Sequence, residues 1–164
     1  NMSKRATAAD AVRAAEVVRK HGMEFLSWIM LGYPGEDKSD IEMTRDMLVK
    51  VKPDVLSISV AFPIRGTAFH EQVKNRISKK RPFGNRPGEN RMVWQGRSSK
   101  FFYAFARRWL GVEVQLAKGT YKGATRWMRI ALKWAYRIGM EISSFSLRPD
   151  KSQVWKPSGE SMVT

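Results

Sequence analysis

Two short apolar runs constrain the fold of this chain more tightly than anything else in it. Residues 23–31 (MEFLSWIML) and 54–62 (DVLSISVAF) each follow a segment of helical periodicity, and each is left through a Pro/Gly corner. Thr7 with Asp10 three residues on forms a capping box. Ala and Val then recur at helical spacing to Lys20, and His21-Gly22 is a stop signal, with His21 placed to interact favourably with the helix dipole. Ser39 with Glu42 reads as a second capping box, opening a helix through Ile41, Met47, Leu48 and Val51. That helix has to end near Lys52, because Pro53 disfavours helical geometry in the residue before it. The run 23–31, apolar and bounded by Gly22 and Gly32, is expected as a strand buried on both faces, the habit of parallel sheets. Strands alternating with helices are βαβ units, whose strands deliver their C-terminal ends to one edge.

Composition removes several classes of function. With no Cys in 164 residues there is no disulfide framework, no thiolate zinc site and no Cys-held iron–sulfur cluster within the chain. Its two His, His21 and the isolated His70 on a short polar helix, do not fill that gap. The hydrophobic fraction is 43%, with six Trp and eight Phe, which favours a packed chain over a solvated one. No apolar run approaches the ~20 residues needed to span a bilayer, and no signal-peptide core is present, so the expected compartment is the cytoplasm. Asn1-Met2-Ser3 stands in a helix-like, charged context and reads as the interior of a longer protein.

The net charge of +15 is unevenly spread. Residues 1–75 carry 11 Lys and Arg against 10 Asp and Glu, whereas residues 76–164 carry 19 against 5. Between the halves, residues 78–88 (SKKRPFGNRPG) interrupt a basic run with two Pro and two Gly and form no regular element. The expected organisation is therefore an α/β unit at 1–77, a basic Pro/Gly linker at 78–97, a basic amphipathic helical extension at 98–148 and a flexible tail at 149–164.

The corners carry the chemistry that the first half offers. Gly32-Tyr33-Pro34-Gly35-Glu36 follows the first strand and Pro63-Ile64-Arg65-Gly66-Thr67 the second. Proline fixes φ, and glycine permits positive φ or close approach of a ligand to the backbone. One such corner is an ordinary strand-to-helix turn; two at equivalent ends of successive parallel strands lie where ligands bind in such folds.

Together with Met2-Ser3-Lys4-Arg5-Ala6-Thr7, Ile29-Met30-Leu31-Gly32-Tyr33-Pro34-Gly35-Glu36, Pro53-Asp54, and Pro63 with Gly66-Thr67, the first half resembles the later strands of the radical S-adenosylmethionine partial barrel. The likeness is to the cobalamin-binding branch that includes the anaerobic magnesium-protoporphyrin monomethyl ester cyclase. It covers residues 1–75. The resemblance implies the final βα units of a partial (β/α) barrel with parallel strands, followed by a basic, mainly helical C-terminal extension. It also implies S-adenosylmethionine as cofactor, held near its adenine and ribose by Ile29, Gly32, Pro34 and Gly35 and by Phe62 and Pro63. A four-iron four-sulfur cluster would be held by an upstream Cys-x-x-x-Cys-x-x-Cys loop, and cobalamin accompanies them in that branch. The substrate would be a hydrophobic small molecule undergoing radical methylation, cyclisation or oxidation. Glu36 reads as a cap or a neighbour of the next helix rather than a general base, so no catalytic residue is assigned.

In the second half, Phe102, Phe105, Trp109 and Leu116 recur at roughly helical spacing, beside Arg107, Arg108 and Lys118, and Gly111 is expected to bend or break that helix. Over residues 125–138, Trp127, Ile130, Ala131, Trp134 and Ile138 form an apolar stripe, and Arg126, Arg129, Lys133 and Arg137 a cationic one. The plain expectation is that the Trp stripe packs inward and the cations are solvated. A helix of this composition also suits an anionic membrane surface or RNA. The alternative to an enzyme segment is thus a non-enzymatic basic module binding RNA or an anionic membrane surface.

Overall fold

The computed structural model describes residues 6–77, 94 and 98–144. These form α1 (Ala8–Lys20), β1 (Leu26–Leu31), α2 (Lys38–Val51), β2 (Val55–Val60), α3 (Ala68–Val73) with a 3-10 turn at Lys74–Arg76, α4 (Lys100–Ala117) and α5 (Gly123–Ser144). The class is mixed α/β, as the alternation predicts, with β1 and β2 paired in parallel from Leu26↔Val55 to Leu31↔Val60. The expected linker at 78–97, except Trp94, and the expected tail at 149–164 lie outside the described residues.

The capping box of α1 is formed by Thr7 and Asp10 as read, and the helix ends at His21, whose Nδ1 lies 2.9 Å from the Val17 carbonyl, with Gly22 at φ 71°. The second box is displaced. Asp37 is the N-cap of α2 and Asp40 its reciprocal partner, while Ser39 donates its hydroxyl to Asp37 at 2.6 Å, so Ser39 and Glu42 do not cap the helix. Both pairs have the required i, i+3 spacing; the carboxylate of Asp37 reaches two amide donors at once and wins. At the other end Lys52 turns the chain with φ 47°, and Arg19 of α1 satisfies the last carbonyls by donating to Val51 O and, at 2.7 Å, to Lys52 O.

The two-faced burial expected of β1 is overturned. Ser27, Ile29 and Leu31 face the helices, whereas Leu26, Trp28 and Met30 are exposed at 49%, 79% and 37%. Val55 and Ser57, opposite Leu26 and Trp28, are exposed as well. The run is apolar on both sides, but helices cover only one face of the pair among the described residues. On that covered face a single core joins the two halves of the chain. Leu31, Ile41, Leu48 and Val60 pack with Phe102, Tyr103, Ala106, Trp109, Leu110 and Val114 of α4 and Met140 of α5. Each large side chain fully buried there contributes roughly 1.5–3 kcal/mol.

Gly111 does not break α4, which continues through it as one α-helix. The cost of an interior glycine, about 1 kcal/mol against Ala, is small beside the burial of Trp109, Leu110, Val112 and Val114 around it. In α5 the expected orientation is reversed. Trp127, Trp134 and Ile138 point outward, while Lys133 reaches Glu113 at 3.1 Å and Arg137 reaches Glu42 at 2.6 Å. Glu141 at the inner flank pairs with Lys38. Lys133 and Arg137 are thus ion-paired against the body, Arg129 lies over the Tyr121 ring, Arg126 is exposed, and the tryptophans face solvent.

Candidate functional site at the strand rim

Parallel pairing sends both corners to one edge. Ala61 donates to Leu31 O at 2.7 Å as the strands end, and the Tyr33 ring, from the first corner, lies 5.1 Å from the Phe69 ring of α3, which follows the second. Phe69 meets Trp94 edge-on at 5.7 Å, and the Trp94 indole N–H donates to Ala61 O at 3.3 Å. The two corners are therefore neighbours on one rim, laced by an aromatic cluster. Neither Phe69 nor Trp94 stands out in the sequence: Phe69 sits in a six-residue helix too short for a periodic signal, and Trp94 in a stretch dominated by Pro, Gly and basic residues.

Within the first corner Gly32 has φ 81°, and its amide donates to Glu36 Oε1 at 2.8 Å. A Cβ at Gly32 would stand 3.3 Å from Val60 Cγ1 and 3.4 Å from the Tyr103 ring. Glycine is needed here for the turn and for protein packing, rather than to admit a ligand from the core side. Gly35, φ 89°, has nothing within 4 Å of the equivalent position and opens to solvent. Pro34 is half-buried. In the second corner Pro63 is buried and Phe62 half-buried; Gly66, φ 83°, is open like Gly35. Thr67 closes this corner, its hydroxyl donating to Ile64 O at 2.7 Å and accepting from the His70 amide at 3.2 Å, which caps α3. Ile29, two residues before the strand end, packs its side chain against the core, and its carbonyl accepts a 3.4 Å bond from the Ser59 hydroxyl.

Glu36 does not cap α2, a role taken by Asp37. Its carboxyl is pushed up to about 7, chiefly by burial and further by the neighbouring Asp40 and Asp37 carboxylates, against the opposing pull of the Gly32 amide. It is a tie across the first corner that holds a proton close to neutral pH. Of the six residues that the resemblance singles out, Gly32, Pro34, Gly35, Phe62 and Pro63 lie on the two corners, and Ile29 lies beneath them on the covered face.

The opposite end of the sheet is built for support. Asp54 accepts from the Phe25 amide at 2.8 Å, which holds its carboxyl below the usual range, and donates its own amide to Phe25 O at 2.8 Å. Lys118, just past α4, reaches the carbonyls of Pro53 and Asp54 at 3.0 and 3.3 Å. A cleft of about 580 Å³ opens beside it, lined by Leu56, Ile58, Arg107 and Arg108 among others.

No group of three or more His, Cys, Asp or Glu among the described residues could hold a metal ion, and no helix among them is long and apolar enough to cross a membrane. The class that fold and rim define is a mixed α/β protein with a two-stranded parallel sheet, covered by helices on one face and carrying two Gly/Pro corners at its C-terminal edge. Compared with known proteins, the chain matches no family model and no curated sequence.

Proposed function

We propose that this chain is the closing part of a radical S-adenosylmethionine enzyme: the last βα units of its partial barrel, joined to a basic helical extension. The observation that carries the reading is the asymmetry of the sheet. In a (β/α) barrel every helix lies outside and the inward residues of each strand meet those of the other strands. Here β1 and β2 give one face to helices and leave Leu26, Trp28, Met30 and Val55 uncovered, an arrangement that fits two strands of a barrel wall. The residue resemblance at the corners supports the same reading.

In this reading Gly35 and Gly66, open at their α-carbons, leave room for a nucleoside against the backbone, and Pro34 and Pro63 hold the corners stiff. Gly32 and Phe62 flank the nucleoside from the same two corners, with Ile29 beneath them. The sequence has no Cys, so the iron–sulfur cluster would rest on upstream residues; when bound and reduced it supplies the electron that cleaves the sulfonium. Cobalamin and a hydrophobic substrate belong to the same proposal. In it, α4 closes the outside of the barrel wall and Glu36 orders the first corner.

The test starts from the coding sequence upstream of this chain, where a Cys-x-x-x-Cys-x-x-Cys loop is expected. A protein carrying both parts, reconstituted anaerobically with iron and sulfide, should release 5′-deoxyadenosine from S-adenosylmethionine on reduction. Gly35→Val should weaken cofactor binding without changing the cluster's absorbance. An upstream stop codon with no such loop, or a loaded and reduced protein that leaves the cofactor intact, would sink the proposal.

A further inference from the structure

The outward face of α5 is a feature of the second half that the proposed enzyme role does not use. Trp127, Trp134, Ile138 and Ile142 succeed one another at steps of seven, four and four residues and are exposed at 72%, 57%, 55% and 69%. At a rise of 1.5 Å per residue the ridge is about 22 Å long. It cannot turn inward without breaking the helix's seat. Lys133, Arg137 and Glu141 are tied to Glu113, Glu42 and Lys38, Met140 is fully buried, and Gly139 lies directly against the Phe105 ring of α4.

We propose that this ridge docks the protein on an anionic lipid bilayer, with α5 lying in the plane of the interface. Charge decides between occupants. From residue 118 to residue 144 the only carboxylate is Glu141, and it is ion-paired toward the body. Arg126 is exposed next to Trp127 and has no partner among the described residues, and the Lys133 ammonium lies 5.7 Å from the centre of the Trp134 ring. An apolar ridge with tryptophans, bordered by cations and free of carboxylates, matches headgroups that are negative and a boundary where indole is most favourable. A second copy of this chain would bring the same positive border against it. RNA would require a longer row of cations along the aromatic face for stacking and phosphate contact, whereas Arg129 is held on the Tyr121 ring and Arg137 on Glu42 and the Trp109 ring, leaving Arg126 and Lys133 at the border. The proposal stands apart from the radical-enzyme reading and survives its failure.

The experiment uses the full chain with vesicles of phosphatidylcholine alone and of phosphatidylcholine with an equal part of phosphatidylglycerol. Flotation with the anionic vesicles is expected, weakened by salt, with tryptophan fluorescence quenched by lipids brominated near the headgroup. Trp127→Ser with Trp134→Ser should lower partitioning about tenfold or more by removing apolar insertion, and Arg126→Glu should lower it while leaving the ridge intact. Thermal melting checks that each variant folds; Ile142→Ser serves if the double variant does not. Three results would overturn the proposal: no binding to anionic vesicles, binding that the ridge substitutions leave unchanged, or ridge substitutions that dissolve a dimer or an RNA complex while vesicle binding stays as it was.

Discussion

Gly111 and Gly139 sit inside consecutive helices, and a methyl group means opposite things at the two positions. At Gly139 an added Cβ would lie 2.8–2.9 Å from the Phe105 ring, whereas at Gly111 nothing stands within 4 Å. Gly139→Ala should therefore destabilise by about 1–2 kcal/mol, overpacking outweighing the gain in helix propensity. Gly111→Ala should stabilise by about 0.5–1 kcal/mol. Urea denaturation of the two variants decides it, and equal effects at both sites would refute the contact. Glu36 makes the second prediction. Its folded value near 7 lies above the ordinary 4.5, so between those limits the folded chain holds a proton that the unfolded chain releases. That contribution is complete below about 4.5 and is lost as pH rises through about 7, amounting to at most roughly 3 kcal/mol. Melting temperature should rise as pH falls from about 8 to about 5, and Glu36→Gln, which can still accept from the Gly32 amide, should flatten the dependence. A parent chain whose stability is level across that window contradicts the burial of this carboxyl. At this scale the sequence was legible wherever partners are close in the chain, as with Thr7 and Asp10. It was ambiguous where two capping patterns overlap, as at Asp37 and Ser39, because spacing alone does not say which side chain meets the free amides.

The two stripes of α5 were evident from periodicity, but periodicity cannot say which of them faces the body. That choice rests on Glu42, 95 residues before Arg137, and on Glu113, in the helix before. The side chain of Glu113 is only 9% exposed and that of Lys133 30%. Removing the lysine leaves a carboxylate in a place that water reaches poorly, and such losses cost more than the pair is worth. Lys133→Met should destabilise by roughly 2–4 kcal/mol. Glu113→Gln combined with Lys133→Met should recover a good part of that loss, and a double-mutant cycle measures the recovery. Additive losses would show that the pair is solvated after all. Arg137 serves a second function, its guanidinium lying 5.1 Å from the centre of the fully buried Trp109 ring. In α4 the apolar stripe correctly indicates a helix, and Gly111 does not end it, because propensity is a small local preference and the burial of Trp109 and Leu110 overrides it.

Across the whole molecule, the uncovered sheet face and the positive charge act against each other. Leu26, Trp28, Met30 and Val55 form an exposed apolar surface beside strand edges that have no ladder partner among the described residues, a combination that promotes association. The formal charge of +15 opposes it by mutual repulsion between copies, and salt screens that repulsion. The alternation of helices and strands made this sheet foreseeable, including its parallel sense. Its one-sided covering was not, because an apolar run looks the same whether its second face meets protein or solvent. The isolated chain should accordingly sediment as a monomer at low ionic strength and associate as salt is raised, with Trp28→Lys suppressing the association. If the barrel reading is right, the same face is interior once the upstream strands are joined to it. Trp28 should then be open to hydroxyl-radical labelling in this chain and protected in the longer protein, while Trp127 remains labelled in both. Equal labelling of Trp28 in the two proteins would leave the face without a barrel to belong to, and the corners at Gly35 and Gly66 without the wall that a nucleoside site requires.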